Sequence, residues 1–76
     1  MKDLILLIVQ RLVTHPEAVE VMETEGDTIS VIEVRVTKED LVRVIGKQGR
    51  TAHAIRTITS AIAARTNRQI ILDFVE

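Results

Sequence analysis

The sequence has 76 residues, a formal net charge of −1 and a 46% hydrophobic share, with Phe74 the only aromatic side chain and no cysteine. So short a chain has material for one hydrophobic core and not for a second, so residues 1–76 are expected to form a single domain. The composition excludes a disulfide framework, a thiolate nucleophile or metal site, and a base-stacking platform built from several rings.

Asp3 is placed to cap a first helix running to about Val13, on which Leu4, Leu7, Ile8 and Leu12 recur at helical spacing. The apolar run Leu4 to Val9 is too short to span a bilayer. With Lys2 offset by Asp3 and no small-residue cleavage site after the run, it also makes a poor signal peptide, so a cytoplasmic, unprocessed protein without membrane association is expected. His15-Pro16 stops the helix.

Two β-branched, alternating stretches follow, about Val19 to Glu23 and Thr28 to Val36, joined by the turn Glu25-Gly26-Asp27. Between Ile29/Val31 and Ile32/Val34/Val36 the apolar parity changes. This predicts either a bulge near Val31-Ile32 or a strand buried on both faces. Thr37 followed by Asp40 resembles a capping box and opens a short helix through Leu41, Val44 and Ile45, which Gly46 ends. Gly49 precedes a longer helix, about Arg50 to Arg65, with Ala52, Ile55, Ile58, Thr59 and Ile62 on one face. Thr66-Asn67-Arg68 is the exit and Gln69 to Val75 the last strand.

The order is α-β-β-α-α-β. The link from the second strand to the third holds two helices and is long enough for a crossover, so those strands can run parallel. An α+β fold follows, a three-stranded mixed sheet packed on one face by three helices.

Charge is divided along the chain. Residues 1–40 carry nine acids against four cations, whereas residues 41–72 carry Arg43, Lys47, Arg50, Arg56, Arg65 and Arg68 and no acid. A polyanion would feel that half-chain as a positive field. Within it, Gly46-Lys47-Gln48-Gly49 separates two helices. A bare pair of glycines at this spacing could simply be the helix caps of an αα-hairpin. Here the second helix opens at Arg50 with amides that have no internal partner, at the positive end of its dipole and beside Lys47, an arrangement suited to phosphate. Arg50, His53 and Arg56 fall away from the Ala52/Ile55/Ile62 stripe and line the face next to the loop, with Arg43 at its margin.

No catalytic or cofactor site is expected. The two histidines lie 38 positions apart without metal-ligand spacing, the P-loop pattern is absent, and Ser30 and Ser60 have no nucleophile context. His15 marks a helix end, and Glu17, Glu20 and Glu23 suit a solvated sheet edge better than a carboxylate pair.

The segment Val44-Ile45-Gly46-Lys47-Gln48-Gly49-Arg50, with Ala52 and Ile55 after the second glycine, resembles the signature of KH domains, and the element order resembles their prokaryotic, type II arrangement. Over essentially its whole length the chain is similar to the small stand-alone bacterial proteins of the KhpA type. The resemblance implies RNA binding, with Gly46, Lys47, Gln48 and Gly49 clamping the backbone of about four nucleotides of single-stranded RNA, Ile45 flooring the groove and no small-molecule substrate. It also implies a chaperone-like regulatory role and association with itself or with a larger KH-containing protein. Ala52 departs from the pattern, since many KH domains place a larger aliphatic residue there. Leu4 to Val9, more apolar than one stripe against a sheet can bury, makes a dimer contact the companion expectation. The rival reading is a protein-interaction module on the same scaffold.

Overall fold

The computed structural model describes all 76 residues, Met1–Glu76. Its elements are α1 (Lys2–Leu12), a 3₁₀ turn at Pro16–Ala18, β1 (Glu20–Glu25), β2 (Ile29–Arg35), α2 (Lys38–Ile45), a 3₁₀ turn at Lys47–Gly49, α3 (Arg50–Ala64) and β3 (Gln69–Val75). The sheet order is β1-β2-β3, with β1 antiparallel and β3 parallel to the central β2. The order and the mixed sheet are those expected of a type II KH domain.

The predicted change of parity in β2 requires no irregularity. Its register is unbroken from Glu20↔Arg35 to Glu25↔Ser30 on one side and from Ile29↔Gln69 to Arg35↔Val75 on the other. Ser30, Ile32 and Val34 point into the helix layer and are buried, while Ile29 and Val31 lie on the opposite face and are exposed. Both proposed explanations, bulge and double burial, are therefore corrected. The hairpin turn comprises residues 26–28, with the Gly26 amide donating to the Ile29 carbonyl at 2.8 Å. Arg68 holds this turn from the far end of the chain, donating to the carbonyls of Gly26 and Asp27 at 3.0 Å each and to the Ser30 hydroxyl at 2.6 Å.

The core joins Ile5 and Val9 of α1 to Val21, Ile32, Val34, Val36, Val44, Ile55 and Leu72. The predicted stripe on α1 was displaced by one position, because Ile5 and Val9 are fully buried whereas Leu4, Leu7 and Leu12 are exposed. Six consecutive apolar residues carry no phase, and the sheet selects which of them it covers. Asp3 is not the cap either. The helix begins at Lys2, the Met1 carbonyl accepts from the Ile5 amide, and Asp3 lies in the first turn, where its charge favours the helix dipole. On α3 the buried positions are Ala52, Ile55, Thr59 and Ala63, and the predicted Ile58 and Ile62 are exposed. Thr59 is tolerated in the core because its hydroxyl donates to the Ile55 carbonyl at 3.0 Å.

Half of the capping box forms. The Thr37 hydroxyl accepts from the Asp40 amide at 3.3 Å, but the Asp40 carboxylate reaches the loop after α1 and not the Thr37 amide. Fully buried, it accepts from the Thr14 amide at 2.9 Å, the Thr14 hydroxyl at 2.8 Å and the His15 amide at 3.0 Å. Burial by itself raises the pKa of this carboxyl; the hydrogen bonds from Thr14 and His15 outweigh it and hold the group at about 2. The start of α2 is thus fixed to the loop that leaves α1.

Candidate nucleic-acid interface

Helix α2 ends where the Gly46 amide donates to the Val42 carbonyl at 2.9 Å and the chain swings into φ 75°, ψ 176°. That conformation is in practice reserved for glycine. Gly46 is required a second time by space, since an added Cβ would overlap the Thr51 hydroxyl oxygen and lie 2.7 Å from the Thr51 Cβ. The turn then closes with Gly49 N–H donating to the Gly46 carbonyl at 3.1 Å. Gln48 (φ 57°) and Gly49 (φ 76°) are both left-handed. Around Gly49 there is open space, so its backbone angle alone calls for glycine. The loop is a tight ridge, filled by Thr51 at Gly46 and open at Gly49.

Lys47, Gln48 and Arg50 are all exposed at this ridge. Lys47 and Arg50 have no carboxylate within ion-pair distance, and the Arg50 guanidinium donates to the Gln48 side-chain carbonyl at 3.1 Å. Gly49 is the N-cap of α3 and no side chain caps the helix. The positive end of a 15-residue helix therefore opens beside two free cations. Ile45 is partly exposed at the end of α2. One turn earlier stands Val42, the most exposed large apolar side chain of the molecule at 75%. The two make an aliphatic margin beside the charged tip.

The flanking cations divide. His53 is exposed on α3, as expected from its place on the wheel. Arg43 lies 3.7 Å from the Asp40 carboxylate and keeps a largely exposed side chain. Arg56 is tied back to the sheet, where its Nε donates to the Leu72 carbonyl at 3.1 Å and its guanidinium carbon lies 5.7 Å from the centre of the Phe74 ring. It borders the edge strand β3 rather than standing free. Arg68 donates to neutral carbonyls and a hydroxyl and so keeps its charge, but it stands at the hairpin beyond the far end of α3, which leaves Lys47 and Arg50 as the cations at the loop itself.

Sequence reasoning missed Thr51 and Val42. Thr51 had a signal in its place two residues after the second glycine, but the need for it appears only once the loop folds back. A cavity of about 230 Å³ at the far end of α3, lined by Met1, Glu23, Ile62, Thr66 and Ile70 among others, lies away from the loop. From Arg50 to Ile62 is twelve residues of helix, about 18 Å. No helix of the chain is long and apolar enough to cross a membrane.

Residues 2–74 match the model of the KH domain of KhpA/KhpB. The RNA-binding protein KhpA of Listeria monocytogenes is 47% identical over 76 residues, covering all of both chains. Its namesake in Clostridium perfringens is 41% identical over 75 residues, covering 99% of this chain and all of that one. That of Aquifex aeolicus is 42% identical over 76 residues, covering all of this chain and 96% of the relative. No solved structure matches significantly. With the loop, the element order and these full-length likenesses in agreement, the chain belongs to the KhpA/KhpB family of KH domains.

Proposed function

We propose that the protein binds single-stranded RNA through its sugar-phosphate backbone, with Gly46, Lys47, Gln48 and Gly49 as the clamp. One observation carries the reading: two unpaired cations, Lys47 and Arg50, flank a ridge with glycine-only geometry at the uncapped start of α3. Relatives named as RNA-binding proteins support it. Phosphate contacts from such a loop fix position without reading bases, so selectivity is low. Ile45 and Val42 form the apolar side of the groove, and Arg43 and His53 extend its basic margin, with Arg56 behind them, held at the edge of β3.

A footprint of about four nucleotides gives weak, salt-sensitive binding. Useful affinity then comes from joining two domains, either two copies or this chain and a larger KH-containing protein, in a cytoplasmic, chaperone-like role. The exposed Leu4, Leu7 and Leu12 of α1 favour self-association as a companion reading, which sedimentation of Leu7→Lys against the unmodified protein tests. For RNA binding the test is Lys47→Asp with Gln48→Asp, measured on a mixed-sequence RNA at low salt. An affinity loss of at least about tenfold is expected. Unchanged affinity with an intact fold overturns the proposal.

A further inference from the structure

The three helices cover one face of the sheet and leave the other bare. The bare face presents Glu20, Met22 and Thr24 from β1, Ile29, Val31, Glu33 and Arg35 from β2, and Gln69, Ile71, Asp73 and Val75 from β3. A sheet with one wet face ordinarily places polar residues on it. Five of these eleven residues are apolar, with Met22 62%, Ile29 41%, Val31 44% and Ile71 48% exposed. The register makes them contiguous. Val31 stands between Thr24 and Ile71 in one row, with Ile29 two residues away on the same strand and Met22 in the adjoining row.

That adjoining row is Met22, Glu33, Asp73, so two carboxylates stand directly opposite each other across β2 and β3. Like charges so placed repel. Glu33 is partly relieved by Arg35 at 3.4 Å, but Arg35 is also drawn to the Glu76 carbonyl at 2.8 Å, and Asp73 has no cation within ion-pair distance. Glu20 faces Arg35 across β1 and β2 without coming within ion-pair distance, leaving three carboxylates around one arginine that is already engaged, beside an aliphatic platform.

We propose that the bare face of the sheet is a docking surface for a basic, amphipathic polypeptide segment. Its aliphatic side chains cover Val31, Ile71, Ile29 and Met22, and a lysine or arginine sits between Glu33 and Asp73. The charge selects this occupant. A nucleic acid or an anionic lipid surface is repelled by the carboxylate row, and a second copy stacked by this face brings the same surplus of carboxylates with only its engaged Arg35 to answer them. A cationic segment gains from both halves of the surface. Because the face lies opposite the helix layer and its loop, such a partner and a ligand at Gly46–Gly49 can be held at once.

The probe is a short, end-blocked peptide in which lysine and valine alternate, titrated into the isotope-labelled full chain while amide shifts are followed by NMR. Shifts centred on Met22, Val31, Glu33, Ile71 and Asp73 are expected, with affinity falling as salt rises. A peptide of the same composition in two blocks, lysines then valines, is expected to bind at least about tenfold more weakly. Val31→Lys with Asp73→Lys is expected to weaken the alternating peptide by a similar factor. Val31→Thr with Ile71→Thr, which keeps β-branched residues in both strands, is the variant that guards against misfolding and is expected to weaken it as well. Equal binding of the block peptide, shifts centred elsewhere, or retained affinity in the folded Thr variant overturns the proposal. So does self-association of the unmodified chain that the Thr variant abolishes, which would make the occupant a second copy.

Discussion

The two ends of α2 are opposites. At its start a single carboxylate, Asp40, is fully buried and takes three hydrogen bonds from Thr14 and His15. At its finish, seven residues beyond Asp40, Lys47 is exposed with no partner and the backbone runs through left-handed angles. One end is electrostatically closed and the other open. A short helix anchored hard at one terminus can carry at the other an exposed, unpaired cation and left-handed backbone.

Breaking the closed end has the largest expected effect. Asp40→Asn leaves the shape but removes an acceptor, stranding buried amide and hydroxyl donors. We expect the melting temperature, followed by circular dichroism, to fall by about 20 °C. Acid does the same by protonation. With its folded pKa lowered from 3.8 to about 2, Asp40 contributes stability that is complete above about pH 4 and lost as the pH falls through 2. An acid unfolding curve of Asp40→Asn should therefore be flatter in that window than that of the unmodified protein.

At the open end, the two glycines should part company. Gly46→Ala meets both a forbidden backbone angle and the Thr51 side chain, and is expected to cost about 2–4 kcal/mol in chemical denaturation and to abolish measurable RNA binding. Gly49→Ala meets the angle alone and should cost about 1–2 kcal/mol. Equal losses at the two positions would show that crowding by Thr51 contributes nothing.

Lys47→Ala is expected to leave the melting temperature unchanged while reducing the salt dependence of RNA affinity by about one in the log–log slope. The smallest effect belongs to His15, whose ring nitrogen lies 2.9 Å from a Glu39 carboxylate oxygen. The hydrogen bond to Glu39 raises its pKa above the ordinary 6.5. The contribution is therefore present below pH 6.5 and disappears as the pH rises through the folded pKa. An NMR titration of Glu39→Gln should bring the His15 midpoint back down.

Element order and loop were legible in the sequence because they depend on local signals. Thr37, Gly46 and Pro16 punctuate the chain where they stand, and the two helices between β2 and β3 dictate a crossover. The phase of α1 was not legible, since a run from Leu4 to Val9 looks the same from every side until a sheet chooses Ile5 and Val9. Nor were the duties of the arginines. Arg68 grips a turn some forty residues away and Arg56 the edge of β3, contacts that exist only after folding. Charge counted along a chain cannot distinguish a cation on offer from one already engaged. Asp40 carried a partial signal, which pointed to the cap of its own helix and not to Thr14.

The parallel pairing of β2 with β3 places the whole loop inside the crossover that joins them. During synthesis the hairpin, α2, the loop and α3 all emerge before Gln69 to Val75 can add the third strand and supply Leu72 and Phe74 beneath α3. The helix that opens at the loop is thus fully packed only when the most distant strand pairing in the chain has closed. By linkage, any ligand bound to Gly46–Gly49 of the folded chain alone would stabilise that closure as well, so sheet unfolding measured with and without RNA would report on the loop.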